Sequence, residues 1–159
     1  MVDRTGSRIN AGGSSKLGII RYGREEMTQY ELSAGDDIMP GEALMRTEDT
    51  DGPEFVHHDG TETKRVYIAV EARGRGMDAQ TDTGYTAGED LVIAVTASGG
   101  GLNLLVKDGE SLVNGDALIP EADTGQFIEE SGEGWSVAEA GEQLEVSGAA
   151  TLVHTEVGN

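Results

Sequence analysis

The runs Val66-Tyr67-Ile68-Ala69-Val70 and Leu91-Val92-Ile93-Ala94-Val95 decide how this chain is read. Both are short and apolar, and both need a core to bury them, so a folded protein is required although 30 of its 159 residues are Asp or Glu. Around them, from Gln29 onward, further short apolar stretches are separated by Gly, Asp and Asn turns. That punctuation belongs to β structure. Strands are expected at Tyr30 to Leu32, Ala43 to Thr47, Glu54 to His57, Arg65 to Glu71, Asp90 to Ala97, Leu102 to Lys107, Ala117 to Pro120, Gln126 to Glu129 and Thr151 to Val157. Trp135 to Leu144 has the Ala and Glu content of a helix, but Gly141 interrupts it and a strand is expected there too. Many strands of about five residues joined by tight turns predict an all-β fold, a small closed barrel or sandwich with at most one short helix. The length suits one domain.

One turn sequence occurs twice. Gly35-Asp36-Asp37-Ile38-Met39-Pro40-Gly41-Glu42-Ala43-Leu44-Met45 matches Gly109-Glu110-Ser111-Leu112-Val113-Asn114-Gly115-Asp116-Ala117-Leu118-Ile119 at a constant offset of 74 residues. In each copy an apolar residue stands three after the first Gly, a second Gly three later, and an acid then leads into a strand. The pattern describes a turn that plugs one side chain into a barrel end and reverses. Gly35, Gly41, Gly109 and Gly115 are its structural positions, with positive φ expected at both glycines of each copy. The echo is either a structural pseudo-repeat or turn chemistry arrived at twice.

Charge divides the chain. The first 24 residues carry Arg4, Arg8, Lys16, Arg21 and Arg24 against one acid, Asp3, while the remainder carries six cations against 29 acids. The leader is rich in Gly and Ser, with one apolar patch, Leu17-Gly18-Ile19-Ile20. Residues 1–27 are therefore expected to form an extended basic N-terminal arm, and 28–159 the barrel domain. Either a partner surface holds such an arm or it folds back on its own acidic domain. On a partner it would hold by strand addition, by burial of Leu17, Ile19, Ile20 and Tyr22, and by Arg–carboxylate hydrogen bonds. The formal charge of -19 makes the surface self-repelling. Molar salt shortens the Debye length to about 3 Å and removes most of that penalty, so the composition reads as adaptation to brine.

Site chemistry is not evident. Without cysteine there are no disulfides or thiolate metal sites. His57, His58 and His154 lack metal-ligand spacing, and histidines so isolated are expected to be solvated. Adjacent carboxylates such as Asp36-Asp37 and Glu129-Glu130 arise by chance at this acid content. Gly99-Gly100-Gly101 lacks the Lys-Ser/Thr of a phosphate loop and is expected to be a turn. No Gly-x-Ser-x-Gly elbow occurs, and no hairpin lysine suits a biotin or lipoyl carrier. No enzyme, metal or cofactor is expected. No apolar stretch is long enough for a secretion signal or a membrane span, so a soluble chain with no membrane partner is expected. Nucleic acid is not an expected partner either, since counterion-release binding collapses in the salt this surface suits.

The chain from about Tyr30 to Val157 resembles the head decoration proteins of tailed viruses. The likeness rests on the order and spacing of several segments. They are the Gly35–Gly41 turn, Val66 to Asp78, Tyr85-Thr86-Ala87-Gly88-Glu89-Asp90-Leu91, Leu104 to Glu110, Gly115 to Leu118, Gly125-Gln126-Phe127, Val137 to Ala140, Gly148 to Val153, and Glu156-Val157. The high acid content and the basic leader depart from that family, and the first suggests a virus of a salt-loving host. The resemblance implies an all-β protein, often a homotrimer, on the outer surface of the virion's shell, bound to the major capsid protein at three-fold or quasi-three-fold positions. It carries no catalytic residues over. Such a protein cements capsomers against the outward push of packed genome. The arm is not part of the likeness; from its own composition Arg4, Arg8, Lys16, Leu17, Ile19, Ile20, Arg21, Tyr22 and Arg24 are the expected capsid contacts. The alternative is a receptor- or glycan-binding spike in which exposed Trp135 and Tyr85 stack on sugar rings, against which stands core packing of Trp135.

Overall fold

A computed structural model describes residues 18–72 and 84–158, and the described chain is all-β apart from one 3-10 turn. A short strand, β1 (Ile20–Tyr22), and the 3-10 turn Arg24–Glu26 come first. Five strands follow: β2 (Gln29–Ala34), β3 (Ala43–Asp49), β4 (Gly52–His57), β5 (Tyr67–Ala69) and β6 (Leu91–Thr96). They close into a barrel of order β2-β4-β3-β5-β6, in which β2 and β4 are parallel and every other neighbour is antiparallel.

The second half is β7 (Gly100–Val106), β8 (Ser111–Leu112), β9 (Ala117–Pro120), β10 (Phe127–Glu129), β11 (Ala138–Ala140), β12 (Leu144–Glu145) and β13 (Thr151–Val157). Its pairings run β7-β10-β9-β11-β13 and return from β13 to β7. Again one pair, β7–β10, is parallel and the rest are antiparallel. The topology is that of the first barrel, with β2, β3, β4, β5 and β6 matched by β7, β9, β10, β11 and β13. The region expected to hold one barrel thus contains two equivalent rings.

The turn echo marks the same point in each. Met39 N–H donates to Glu42 Oε1 at 2.9 Å and Val113 N–H to Asp116 Oδ2 at 2.8 Å. Gly41 N–H reaches the Ala69 carbonyl at 2.9 Å, and Gly115 N–H that of Ala140 at 2.8 Å. Each acid's carbonyl then accepts back from the same alanine, Ala69 at 3.1 Å and Ala140 at 2.8 Å. Ile38 and Leu112 are the plugs, each about 1% exposed, one in each interior. The echo is a structural pseudo-repeat. Gly41 (φ 95°), Gly109 (φ 100°) and Gly115 (φ 99°) take the left-handed backbone expected of them. Gly35 does not: its φ is not left-handed, and a Cβ there would meet the Glu54 carboxylate and lie 2.7 Å from a Val56 methyl, so these side chains would have to shift.

The first interior holds Leu44, Phe55, Tyr67, Ala69, Val92 and Ala94 around Tyr85, and the second is centred on Leu102, Leu104, Leu118, Phe127 and Val153. The two are joined. Ala43, Ile68, Val70 and Val95, on the outer faces of β3, β5, β6 and the residue after β5, belong to the second barrel's hydrophobic cluster. β5 and the second half of β6 are buried on both faces, and that explains why Val66–Val70 and Val92–Val95 read as continuous apolar runs rather than alternating ones, while Leu91 at the start of β6 is exposed.

Of the expected strands, Ala117–Pro120 and Thr151–Val157 coincide with β9 and β13. Trp135 to Leu144 yields only β11 and the first residue of β12. It breaks at Gly141, where a Cβ would come within 2.6 Å of the His154 ring. The strands β1 and β8 were not expected.

Candidate interaction surface

The basic leader meets the domain at its root. Ile19, expected to face a partner, is 0% exposed and sits in the core of its own molecule. Its N–H donates to the Glu71 carboxylate at 3.2 Å, its carbonyl accepts from Asn103 N–H at 2.8 Å, and Asn103 Nδ2 donates to the Gly18 carbonyl at 2.7 Å. Ile20 and Tyr22 then pair with Leu102 and Gly101 of β7. Residues 18–22, expected within the arm, are thus joined to the domain. Arg21 and Arg24 are exposed, Ile20 is half-buried, and Tyr22 is 52% exposed with its hydroxyl bonded to Glu156. Arg4, Arg8, Lys16 and Leu17 lie outside the described residues, as do Arg73 to Asp78 of the decoration-protein likeness.

The glycine run Gly99-Gly100-Gly101 is the seat of this root, and only its first residue is a bend. Gly100 and Gly101 open β7. A Cβ on Gly101 would strike the Tyr22 ring, and one on Gly23 (φ 84°) would stand 2.5 Å from the Gly99 carbonyl oxygen. Sequence reading missed this because the residues that need the space lie about 80 positions away.

The histidines are not the solvated surface groups expected. His58 is 0% exposed, with Nε2 3.0 Å from the Lys64 carbonyl and Nδ1 accepting from Gly60 N–H at 3.0 Å. Its ring lies 6.1 Å from that of Trp135. His57 Nε2 is 2.8 Å from Glu42 and its Nδ1 is 3.6 Å from Asp36. Burial lowers the His57 pKa, but the Glu42 bond and the charges of Glu42 and Asp36 outweigh it and raise the pKa above the usual imidazole value. His154 is the reverse. Burial and the neighbouring Arg21 lower its pKa against the pull of Glu142, and its Nε2 lies 2.8 Å from the Glu156 carboxylate.

Where the barrels meet, a groove of about 510 Å³ opens between the Glu62–Val66 loop, Thr96–Ser98 and Trp135–Val137. Trp135 is half-buried in its wall, between the core and exposed readings. Tyr85, by contrast, is 2% exposed and bonds the Val70 carbonyl at 2.6 Å, so it cannot stack on a ligand. Among the described residues no group of three His, Asp or Glu side chains is arranged to hold a metal, and no helix is long and apolar enough to cross a membrane.

No protein-family model and no curated protein matches the chain. Among solved structures it is similar to the N base of head fiber gp8.5 of bacteriophage phi29, with a TM-score of 0.56 and 18% identity, over 82% of this chain and 93% of that one. At that identity the likeness is one of fold.

Proposed function

We propose that this protein is a structural virion component that binds the outer surface of an icosahedral capsid and cements contacts between capsomers. The observation that carries the reading is the fold shared with a phage head-fiber base over most of both chains. The motif order from Tyr30 to Val157 supports it independently. In this reading the basic leader is the tether and the twin-barrel domain is what it holds on the shell. Clamping of the backbone at Gly18 and Ile19 gives the tether a fixed root, so force on it passes into the joint core. The capsid contacts are then Arg4, Arg8, Lys16 and Leu17, with Arg21, Tyr22 and Arg24 at the exposed root, and the partner is the major capsid protein. A homotrimer is the expected assembly, and the acidic surface suits a host living in brine.

The test is co-sedimentation with capsids assembled without the protein, in molar salt, using a variant that lacks residues 1–17. Truncation must stop there, because removing residues up to 24 would also strip β1 from β7. Loss of binding with an unchanged far-UV spectrum is expected. Binding equal to that of the full chain would overturn the tether, and no binding by the full chain would overturn the capsid reading itself.

A further inference from the structure

We propose that the groove between the barrels is a binding site for an acidic saccharide, one bearing carboxylate or sulfate groups. Three features converge there. The first is Trp135, the chain's single tryptophan, half-buried in the groove wall. The second is the adjacent pair Lys64 and Arg65, both exposed and both lining the groove. In so acidic a molecule cations are scarce, and Arg46 and Lys107 are paired with Glu48 at 3.4 Å and Glu121 at 2.5 Å. Among the described residues neither Lys64 nor Arg65 has a carboxylate within 4 Å, although the Lys64 charge is felt at Asp59. The third is the pair of hydroxyls, Thr96 and Ser98, on the barrel edge that also lines the groove; with Oγ atoms 3.2 Å apart, Thr96 accepting from Thr28 N–H at 3.0 Å and Ser98 donating to the Glu26 carbonyl at 2.9 Å, they are held in place with acceptor capacity to spare.

The site is built rather than incidental. Buried His58 fixes both of its sides: Nε2 holds the Lys64 carbonyl, Nδ1 holds Gly60 N–H, and the ring lies beside the Trp135 indole. The loop that delivers Trp135 is shaped by Glu130, whose Oε2 accepts from Gly132 N–H at 3.0 Å and Gly134 N–H at 2.7 Å. The bonds from Gly134 and Gly132 lower the Glu130 pKa.

A pyranose offers C–H groups on its faces and hydroxyls round its rim, so an aromatic wall beside hydroxyls and charged groups suits it. The two cations select an acidic sugar. Glu62, on the same loop as Lys64 and Arg65, and Glu26 also line the groove and disfavour a polyanion running its length, which argues against single-stranded nucleic acid. This inference does not depend on shell binding, and its test uses no capsid.

Because Trp135 is the only tryptophan, intrinsic fluorescence reads the groove directly. Hyaluronan fragments are titrated into the full chain in molar NaCl, with dextran fragments, a single-stranded thymidine oligonucleotide and polyglutamate titrated in parallel. A saturable change with hyaluronan, well beyond that with dextran, is expected. The double substitution Lys64→Glu and Arg65→Glu should weaken it roughly tenfold or more, since it removes charge-assisted bonds, while leaving the melting curve in place. Trp135→Ala should abolish retention of the fragments in equilibrium dialysis. The proposal is overturned by absence of both fluorescence change and retention, by equal binding of the double variant, or by tighter binding of the oligonucleotide or polyglutamate.

Discussion

His57 and His154 respond to pH in opposite senses. The folded-state pKa of His57 is raised, so the native protein binds its proton more tightly than the unfolded chain does. Its stabilising contribution is complete below the unfolded value of about 6.5 and is lost as pH rises through the higher folded value. The pKa of His154 is lowered, so its contribution is complete above about 6.5 and is lost as pH falls through the lower folded value. Histidine NMR titration should place His57 above and His154 below the free imidazole. In urea unfolding from pH 5 to 8, His57→Gln should remove a loss of stability on the alkaline side; an unaltered pH profile would contradict the Glu42 and Asp36 pairing.

At the scale of elements, β1 depends on an absence of side chains opposite it. Gly101→Ala puts a methyl group into the Tyr22 ring, and relieving that overlap should cost about 1–3 kcal/mol. The loss should fall on the root first, and would be seen as faster amide exchange at Ile19 and Asn103 with the exchange of β9 and β10 unchanged. Uniform acceleration across the molecule would show instead that β1 belongs to the global unfolding unit. The matched rings make a paired prediction. Phe55 in β4 and Phe127 in β10 occupy equivalent interior positions and are both 0% exposed. Truncation of either to alanine should cost about 3–5 kcal/mol, measured by denaturant midpoint at constant slope.

The whole molecule should unfold as one unit despite its two rings. Ile68 and Val95 of the first barrel lie in the second barrel's cluster, so neither core survives the opening of the other intact. Calorimetry should give a single transition with equal calorimetric and van't Hoff enthalpies, and Phe55→Ala and Phe127→Ala should each shift that one transition. Two resolved transitions would contradict a joint core. The same scale governs salt. With a formal charge of -19, the native surface repels itself at low ionic strength, so the melting temperature should climb steeply as NaCl goes from millimolar to molar. A salt-independent melting temperature would remove the argument for brine.

What the sequence determined by itself is what local chemistry determines: strand-length apolar runs, the turns between them, the left-handed glycines at 41, 109 and 115, and hence the all-β class. The turn echo at an offset of 74 was legible too, because Gly, a plug residue and a capping acid recur within seven positions. Only the tertiary structure decided that the echo means two rings with one topology. It also decided that Ile19 is core rather than contact, that Gly100 and Gly101 make room for Tyr22, and that His58 is buried beneath Lys64 and Trp135. Apart from the short span from His58 to Lys64, each of these depends on a partner tens of residues away. Backbone preferences act within a few residues, whereas burial and strand pairing are set by contacts between distant segments that no local pattern records.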